Sequence, residues 1–429
     1  MYKTLGWGDF VEEVISKRLS VIRRYNTIFI KWVLISAFTG IVGGTVGSLF
    51  HLSLEWATEY RINHGNILYF LPFAGLAIIF LYNLSHAHNE AGTNLVIDSV
   101  RKDGEVPTSM APLIFISTVI TQLFGGSAGR EGAALQLGGS IGSRIGKIIG
   151  LDEKDMHLVT ICGMSSVFSA LFGTPLTATF FAMEVISIGI IHYSSFIPCI
   201  VASIVAYRIS LLFKLKPVRY TLQVIPEFNA ENIIKVVVLA MLCAVVSIIF
   251  CEALHKTNFL FSKYIKNKYL RVFIGGTIIV ILTLLVGSRD YNGAGMNIID
   301  DAINGKAKTM AFLLKIIFTA ITIESGYKGG EIVPTFFVGA TFGCVVGGFL
   351  GLDPGFGAAV GLVSLFCGVA NTLITSIILS IELFGAQDIV LFSIVCGVSY
   401  TLSGYYGLYS SQKIVYSKLR SEYINRSAK

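Results

Sequence analysis

Gly125-Gly126-Ser127-Ala128-Gly129-Arg130-Glu131-Gly132-Ala133-Ala134-Leu135-Gln136-Leu137-Gly138-Gly139-Ser140 sets a guanidinium and a carboxylate inside a run of small residues. The surrounding chain has a mean hydropathy of +0.72. A carboxylate at membrane depth is costly and faces a pathway or a partner, which makes Glu131 a functional-site candidate by its setting alone. Glycines around it allow close backbone approach, and a helix starting there would point its positive dipole end at whatever sits beside the motif.

Working outward, the 429 residues are 54% hydrophobic and 14% charged, against about 25% charged in soluble domains. Long apolar segments recur at 28–54, 67–82, 111–124, 196–213, 233–254, 272–286, 310–323, 332–350 and, with interruptions, 356–398. A full crossing needs about 20 residues, and several of these are too short. Broken backbone within a bilayer survives only where it is buried in protein or lines a cavity. The pattern therefore predicts an all-α, polytopic membrane protein of tilted and discontinuous helices, packed closely through its 44 glycines.

The first 27 residues carry Lys3, Lys17, Arg18, Arg23 and Arg24 between apolar residues and predict an amphipathic helix on the cytoplasmic surface. No cleavable signal peptide is visible. Basic residues at 263–271 and 413–429 favour the same side, so both termini are expected in the cytoplasm. The net charge of +7 lacks an aromatic-basic nucleic-acid platform and fits membrane orientation. Seven cysteines without a CxxC pair read as small hydrophobes. His86 and His88 have no partner cluster, so no metal and no cofactor are expected.

Residues 214–232, with Pro217 and Pro226, read as a connector between a first repeat at 28–213 and a second at 233–416, leaving 417–429 as a short tail. Each half carries a Gly-rich motif with a glutamate: Gly129-Arg130-Glu131-Gly132 and Gly329-Gly330-Glu331-Ile332-Val333-Pro334. Inverted-repeat transporters hold small anions between half-helix N-termini in this way. Either motif alone is more often a packing surface; the pair favours an anion site.

These residues resemble the CLC family of anion channels and proton-coupled anion antiporters, over about 28–416. The resemblance rests on Gly129-Arg130-Glu131-Gly132 with Gln136 and Gly138-Gly139, on Gly329-Gly330 with Pro334, on Pro175-Leu176 leading to Glu184, and on Lys413-Ile414-Val415-Tyr416-Ser417. It implies a fold of two inverted halves around a central anion pathway and a homodimer with one pathway per subunit. Glu131 then corresponds to the gating glutamate, an anion when charged and a neutral acid when protonated. Tyr416 corresponds to the tyrosine that donates to the central anion. The chain ends soon after it, so no appended regulatory domain is expected.

The departures carry equal weight. Where the family has Gly-Ser-Gly-Ile-Pro this chain reads Ala91-Gly92-Thr93-Asn94-Leu95-Val96-Ile97, so Thr93 or Asn94 must replace the serine hydroxyl. Glu331 stands where chloride-type members have an apolar residue, and Val185 stands where chloride/proton exchangers carry an internal glutamate. The combination is similar to the bacterial fluoride/proton antiporters. Fluoride holds water tightly, so its site needs strong donors at short range. The resemblance assigns these to Gly129, Arg130, Gly132, Ala133, Ile332 and Val333, with Thr93 or Asn94 and Tyr416. Glu331 is expected to restrain the backbone or pair with Lys328, ahead of a part in proton movement. Arg130 and Glu184 are expected to serve helix ends, and Lys315, Glu324 and Glu382 to pair internally.

The leading expectation is thus fluoride export in exchange for protons. A chloride channel or chloride/proton antiporter of the same fold is the alternative. An intramembrane enzyme using Glu131 or Glu331 is remote, because no His pair, Ser-Lys pair or metal-ligand set accompanies them.

Overall fold

A computed structural model describes residues 7–85, 92–102, 104 and 106–428, with side chains described from residue 15. His86, His88 and Ala91 lie outside the described residues, as do the first six. The first half runs α1 (Trp7–Asn63), α2 (Leu71–Leu84), α3 (Thr93–Arg101), α4 (Met110–Leu123), α5 (Glu131–Ile149), α6 (Glu153–Phe172), α7 (Pro175–Glu184), β1 (Ser187–Ile188) and α8 (Phe196–Leu212). The second runs α9 (Ala230–Tyr264), α10 (Lys268–Val286), α11 (Met296–Ile303), α12 (Ala311–Ser325), α13 (Ile332–Phe349), α14 (Pro354–Ala370), α15 (Leu373–Phe384), α16 (Ile389–Leu402), β2 (Lys413–Tyr416) and β3 (Tyr423–Ser427). Among the described residues 7 helices are long and apolar enough to cross a membrane, while α4, α14, α15 and α16 are apolar but shorter.

The helix sequence of one half repeats in the other, and the local chemistry repeats with it. Asp152 caps the start of α6 by accepting from Asp155 N, and Asp353 caps α14 by accepting from Phe356 N, both at 2.9 Å or less. Both helices end in a left-handed residue, Gly173 (φ +70°) after α6 and Asn371 (φ +57°) after α14, the two residue types that adopt this cap most readily. In α5 and α13 the series Gly138-Gly142-Gly146 and Gly339-Gly343-Gly347 recurs at the same spacing. Through these glycines α5 lies backbone to backbone against Gly163 of α6, and α13 against Gly357 and Gly361 of α14.

The halves also cap each other. Glu184, the last residue of α7, accepts from Ile374 N at 3.1 Å, Thr375 N at 2.9 Å and Thr375 Oγ1 at 2.7 Å at the start of α15. In return Glu382 of α15 accepts from Leu176 N at 3.0 Å and Thr177 N at 2.8 Å at the start of α7. Glu184→Ala leaves buried amides unpaired and is expected to lower stability by about 2–4 kcal/mol. A fall in the thermal unfolding midpoint in detergent checks this; an unchanged midpoint would mean the α7–α15 contact carries nothing.

Three sequence boundaries shift. The helix begun in the first 27 residues does not stop there: α1 continues unbroken to Asn63, and Ile15, Leu19 and Ile22 on it are exposed. The connector is non-helical over 213–229, close to the expected 214–232. The tail at 417–429 contains β3, which pairs antiparallel with β2, while β1 pairs parallel with β2. The mostly helical chain thus carries a small three-stranded sheet joining the first half to the C-terminus, because the tail brings its own unpaired backbone to an edge already started by β1.

Candidate functional site

The two Gly-rich motifs meet at the middle of the molecule. Gly129 N donates to Gly330 O at 2.6 Å and Gly330 N to Gly129 O at 2.9 Å, a two-residue antiparallel bridge between the strand-like leads into α5 and α13. Only glycine allows it, since a Cβ at Gly330 would collide with the amides of Glu131 and Gly132. The bridge aims the N-termini of both helices at one point.

The carboxylate of Glu131 occupies that point. Its Oε2 accepts from Arg130 N at 3.0 Å and from Val333 N at 3.1 Å, one amide from each half. The side chain is fully buried. Oε1 has no hydrogen-bond partner and lies 3.6 Å from Arg130 Nε. A tethered anion therefore sits on two convergent helix dipoles.

The helix starts set the register of the two motifs. Arg130 is the N-cap of α5 and Glu331 the N-cap of α13, so Glu331 is the counterpart of Arg130, and Glu131 that of Ile332. The site has a guanidinium and a carboxyl group at its two equivalent N-cap positions. Glu331 Oε2 is buried without a hydrogen-bond partner, while the Lys328 ammonium lies 4.8 Å from the Tyr82 ring centre.

Cavities open on both sides. One of about 750 Å³ is lined by His51, Glu55, Arg61, Arg130, Arg289 and Asn292, among others. Another of about 280 Å³ is lined by Thr93, Asn94, Gln136, Glu324, Glu331 and Tyr409, among others. Glu131 lines neither; its neighbour Arg130 lines the larger cavity, and Gln136 and Glu331 line the smaller. The Arg130 guanidinium lies 5.4 Å from the Phe172 ring centre and its Nη1 3.3 Å from His51 Nδ1.

Most sequence candidates converge here. Thr93 Oγ1 accepts from Gln136 Nε2 at 3.2 Å and donates to Gly132 O at 3.3 Å. Gly129, Gly132, Ala133, Gly329, Gly330, Ile332 and Val333 are buried in the two leads and helix starts. Asn94 lines the smaller cavity, but its Oδ1 accepts from Ser411 N at 2.9 Å, so that oxygen serves the fold.

Tyr416 is not brought to the site. It lies on β2, 45% exposed, edge-on to Tyr423. Tyr82, Tyr327 and Tyr409 line the smaller cavity; the Tyr327 hydroxyl donates to Leu71 O at 2.8 Å, whereas Tyr409, 2% exposed, has a buried hydroxyl with no hydrogen-bond partner. The Lys413–Tyr416 motif points to Tyr416 by residue type, whereas the strand pairing of those residues leaves Tyr416 at the surface. The available signal was the Gly404 and Gly407 turn after α16, which ends an apolar run just before Tyr409. Tyr409 is held there by Ser411, whose Oγ donates to Asp98 Oδ2 at 2.7 Å and whose carbonyl accepts from Arg101.

Other buried charges resolve individually. Lys315 is fully buried and donates to Tyr291 O at 3.2 Å and Gly293 O at 2.7 Å, to carbonyls and not to an acid. Glu324 accepts from Asn258 Nδ2 at 2.6 Å. All seven cysteines are buried and free. Among the described residues no His, Cys, Asp or Glu group suited to a metal occurs.

Comparison with known proteins points one way. The family described as Voltage gated chloride channel matches residues 74–404. The "Chloride/fluoride channel protein" of Pseudomonas syringae pv. tomato is 33% identical over 395 residues, covering 90% of this chain and 87% of that protein. The H(+)/Cl(-) exchange transporter ClcA of Vibrio cholerae is 26% identical over 393 residues, 83% of this chain and 82% of that one. The crystal structure of a CLC-type fluoride/proton antiporter superposes with a TM-score of 0.86 at 32% identity, covering 89% of this chain and 98% of that one.

Proposed function

The chain belongs to the CLC family and is an anion/proton transporter of the membrane, and on that premise we propose that it exports fluoride from the cytoplasm in exchange for protons. The observation that carries the reading is the Glu131 carboxylate held by Arg130 N and Val333 N between two cavities. A free anion and this carboxylate compete for the same donors. When Glu131 takes a proton it becomes a neutral acid, loses its hold on the dipoles and yields the place to the anion. One group thereby links the two fluxes.

Fluoride fits the donors around it. Amide N–H groups, the unpartnered Tyr409 hydroxyl and the Thr93–Gln136 pair offer hard, short hydrogen bonds in place of its water. Likeness to the fluoride/proton antiporter at 32% identity supports the same choice. In acidic surroundings hydrogen fluoride enters neutral and ionises inside, so a proton moving inward can drive fluoride out. The first test is reconstitution into liposomes: an imposed proton gradient is expected to move fluoride uphill, with chloride moving slowly. Chloride flux equal to fluoride flux would place the chain with the chloride transporters.

For orientation, α1 begins among Lys17, Arg18, Arg23 and Arg24, and α9 ends beside Lys263, Lys266, Lys268 and Arg271. The positive-inside rule puts both of these ends in the cytoplasm. The smaller cavity, which Asn258 of α9 lines, then faces inward, and the larger one, lined from the far end of α1, faces outward. A homodimer with one pathway per subunit accompanies the reading.

Tyr409 replaces Tyr416 as the tyrosine donor. A hydrogen bond to a charged partner contributes about 1.5–3 kcal/mol, so Tyr409→Phe is expected to weaken fluoride affinity by about tenfold or more. Tyr416→Phe is expected to leave it alone. Fluoride-electrode efflux assays on the two variants decide; equal effects would remove Tyr409 from the site.

A further inference from the structure

Glu324 has no part in holding the anion, yet it is built into the wall of the inner cavity. It lies near the end of α12, and Glu331 lines the same cavity. A carboxylate there repels fluoride, so its placement calls for another role. Its Oε2 takes a short hydrogen bond, 2.6 Å, from Asn258 Nδ2. The orientation of Asn258 is set in turn, because its own Oδ1 accepts from Ser262 Oγ at 3.1 Å. Glu324 is thus aimed and kept aimed at the cavity side.

Beyond it, Glu331 has a buried oxygen with no hydrogen-bond partner, close to Gly132 at the start of α5. Next comes Glu131. Three carboxylates therefore run from the inner cavity to the anion position, on α12, at the N-cap of α13, and on α5. The groups facing Glu324 are Asn258 and His255 from α9, Arg271 from α10, Lys328 after α12, and Glu331. Arg271 is engaged with Ile265 O.

We propose that Glu324 is the terminal proton-transfer carboxylate of the inner cavity, exchanging protons between Glu331 and cavity water. The proposal rests on the proton-coupled reading above. In the export direction the proton on the Glu331 carboxylic acid passes to the Glu324 carboxylate, restoring Glu331 as an anion. It then leaves Glu324 for a water molecule, which becomes hydronium. Only O–H bonds break and form, and no other reactant is needed.

The test is Glu324→Gln in liposomes, followed by simultaneous fluoride and proton fluxes. Glutamine keeps the oxygen that accepts from Asn258 and cannot titrate. The maximal coupled rate is expected to fall by about tenfold or more, as for loss of a positioned proton carrier. The fluoride KM stays unchanged, and the dependence of rate on inner pH flattens. Glu324→Asp, which still titrates, recovers part of the rate and its pH dependence. An unchanged maximal rate in Glu324→Gln overturns the proposal. So does a raised fluoride KM with no recovery in Glu324→Asp, which makes Glu324 a packing or anion-site residue. Loss of proton-driven transport in the unmodified protein is a separate result that removes the antiport premise itself. Should Glu324→Gln fail to fold, Asn258→Ala frees the carboxylate from its orientation, and a lowered rate at unchanged KM is the expected outcome, with an unchanged rate overturning it.

Discussion

Replacing Glu131 with glutamine is expected to stop proton movement: under a fluoride gradient, liposomes carrying the variant show proton uptake no faster than protein-free liposomes. Glutamine fills the same volume and still offers an oxygen to Arg130 N and Val333 N, the two amides that hold the carboxylate at 3.0 and 3.1 Å. It can neither bind nor release a proton between pH 5 and 8, so the step in which the tethered anion becomes a neutral acid is lost. Whatever fluoride flux remains is then indifferent to a pH gradient. The packing consequence is small, because glutamine is isosteric with the buried carboxylate, whose Oε1 makes no hydrogen bond and only a 3.6 Å ion pair with Arg130 Nε. Proton uptake at the rate of the unmodified protein would remove Glu131 from the coupling mechanism.

Gly361→Val is expected to abolish the folded, monodisperse protein. At Gly361 an added Cβ meets the carbonyl of Gly339 and the Cα of Gly343, backbone atoms that cannot move aside. The overpacking is expected to destabilise by about 3 kcal/mol. It also pushes α13 away from α14, and α13 brings the Val333 amide to the Glu131 carboxylate. Loss of packing and loss of the site are therefore one event. Gly397→Ala is the control: on α16 a methyl meets open space within 4 Å, and alanine favours the helix. Size-exclusion profiles in detergent distinguish the two. A monodisperse Gly361→Val peak would mean that the helices separate without penalty.

Local features were legible in the sequence. The motif at Gly129–Gly132 starts a helix at Glu131, as its small residues and its single carboxylate suggested. The proline-containing stretch between α8 and α9 is non-helical over 213–229. These succeed because a helix start, a membrane segment and a proline-rich link each depend on residues adjacent in the chain. Glu331 was harder. Its motif looks like a second copy of the first, but alignment of helix starts pairs it with Arg130, and only the Gly129–Gly330 bridge fixes that register.

Tyr409 and Tyr416 illustrate the limit. Both are tyrosines near the C-terminus, and residue type alone does not separate them. Strand pairing of Lys413–Tyr416 puts the second at the surface, while Ser411, tied to Asn94 and Asp98, keeps the first at the cavity. Likewise, the sequence offered internal pairing for Lys315, Glu324 and Glu382, and each found a different kind of partner: backbone carbonyls, an asparagine amide and the start of a helix in the other half.

By itself the sequence determined a membrane protein of two related halves, with glycine-rich helix starts that bring an ionisable carboxylate to membrane depth, since hydropathy, glycine spacing and the cost of a buried charge act locally. Which amides hold that carboxylate, which cavity tyrosine keeps an unpartnered hydroxyl and which acids lie between the cavity and Glu131 were settled by the packing of the two halves. Those choices depend on hydrogen bonds between residues far apart in the chain, whose geometry comes into being only when the two halves pack against each other.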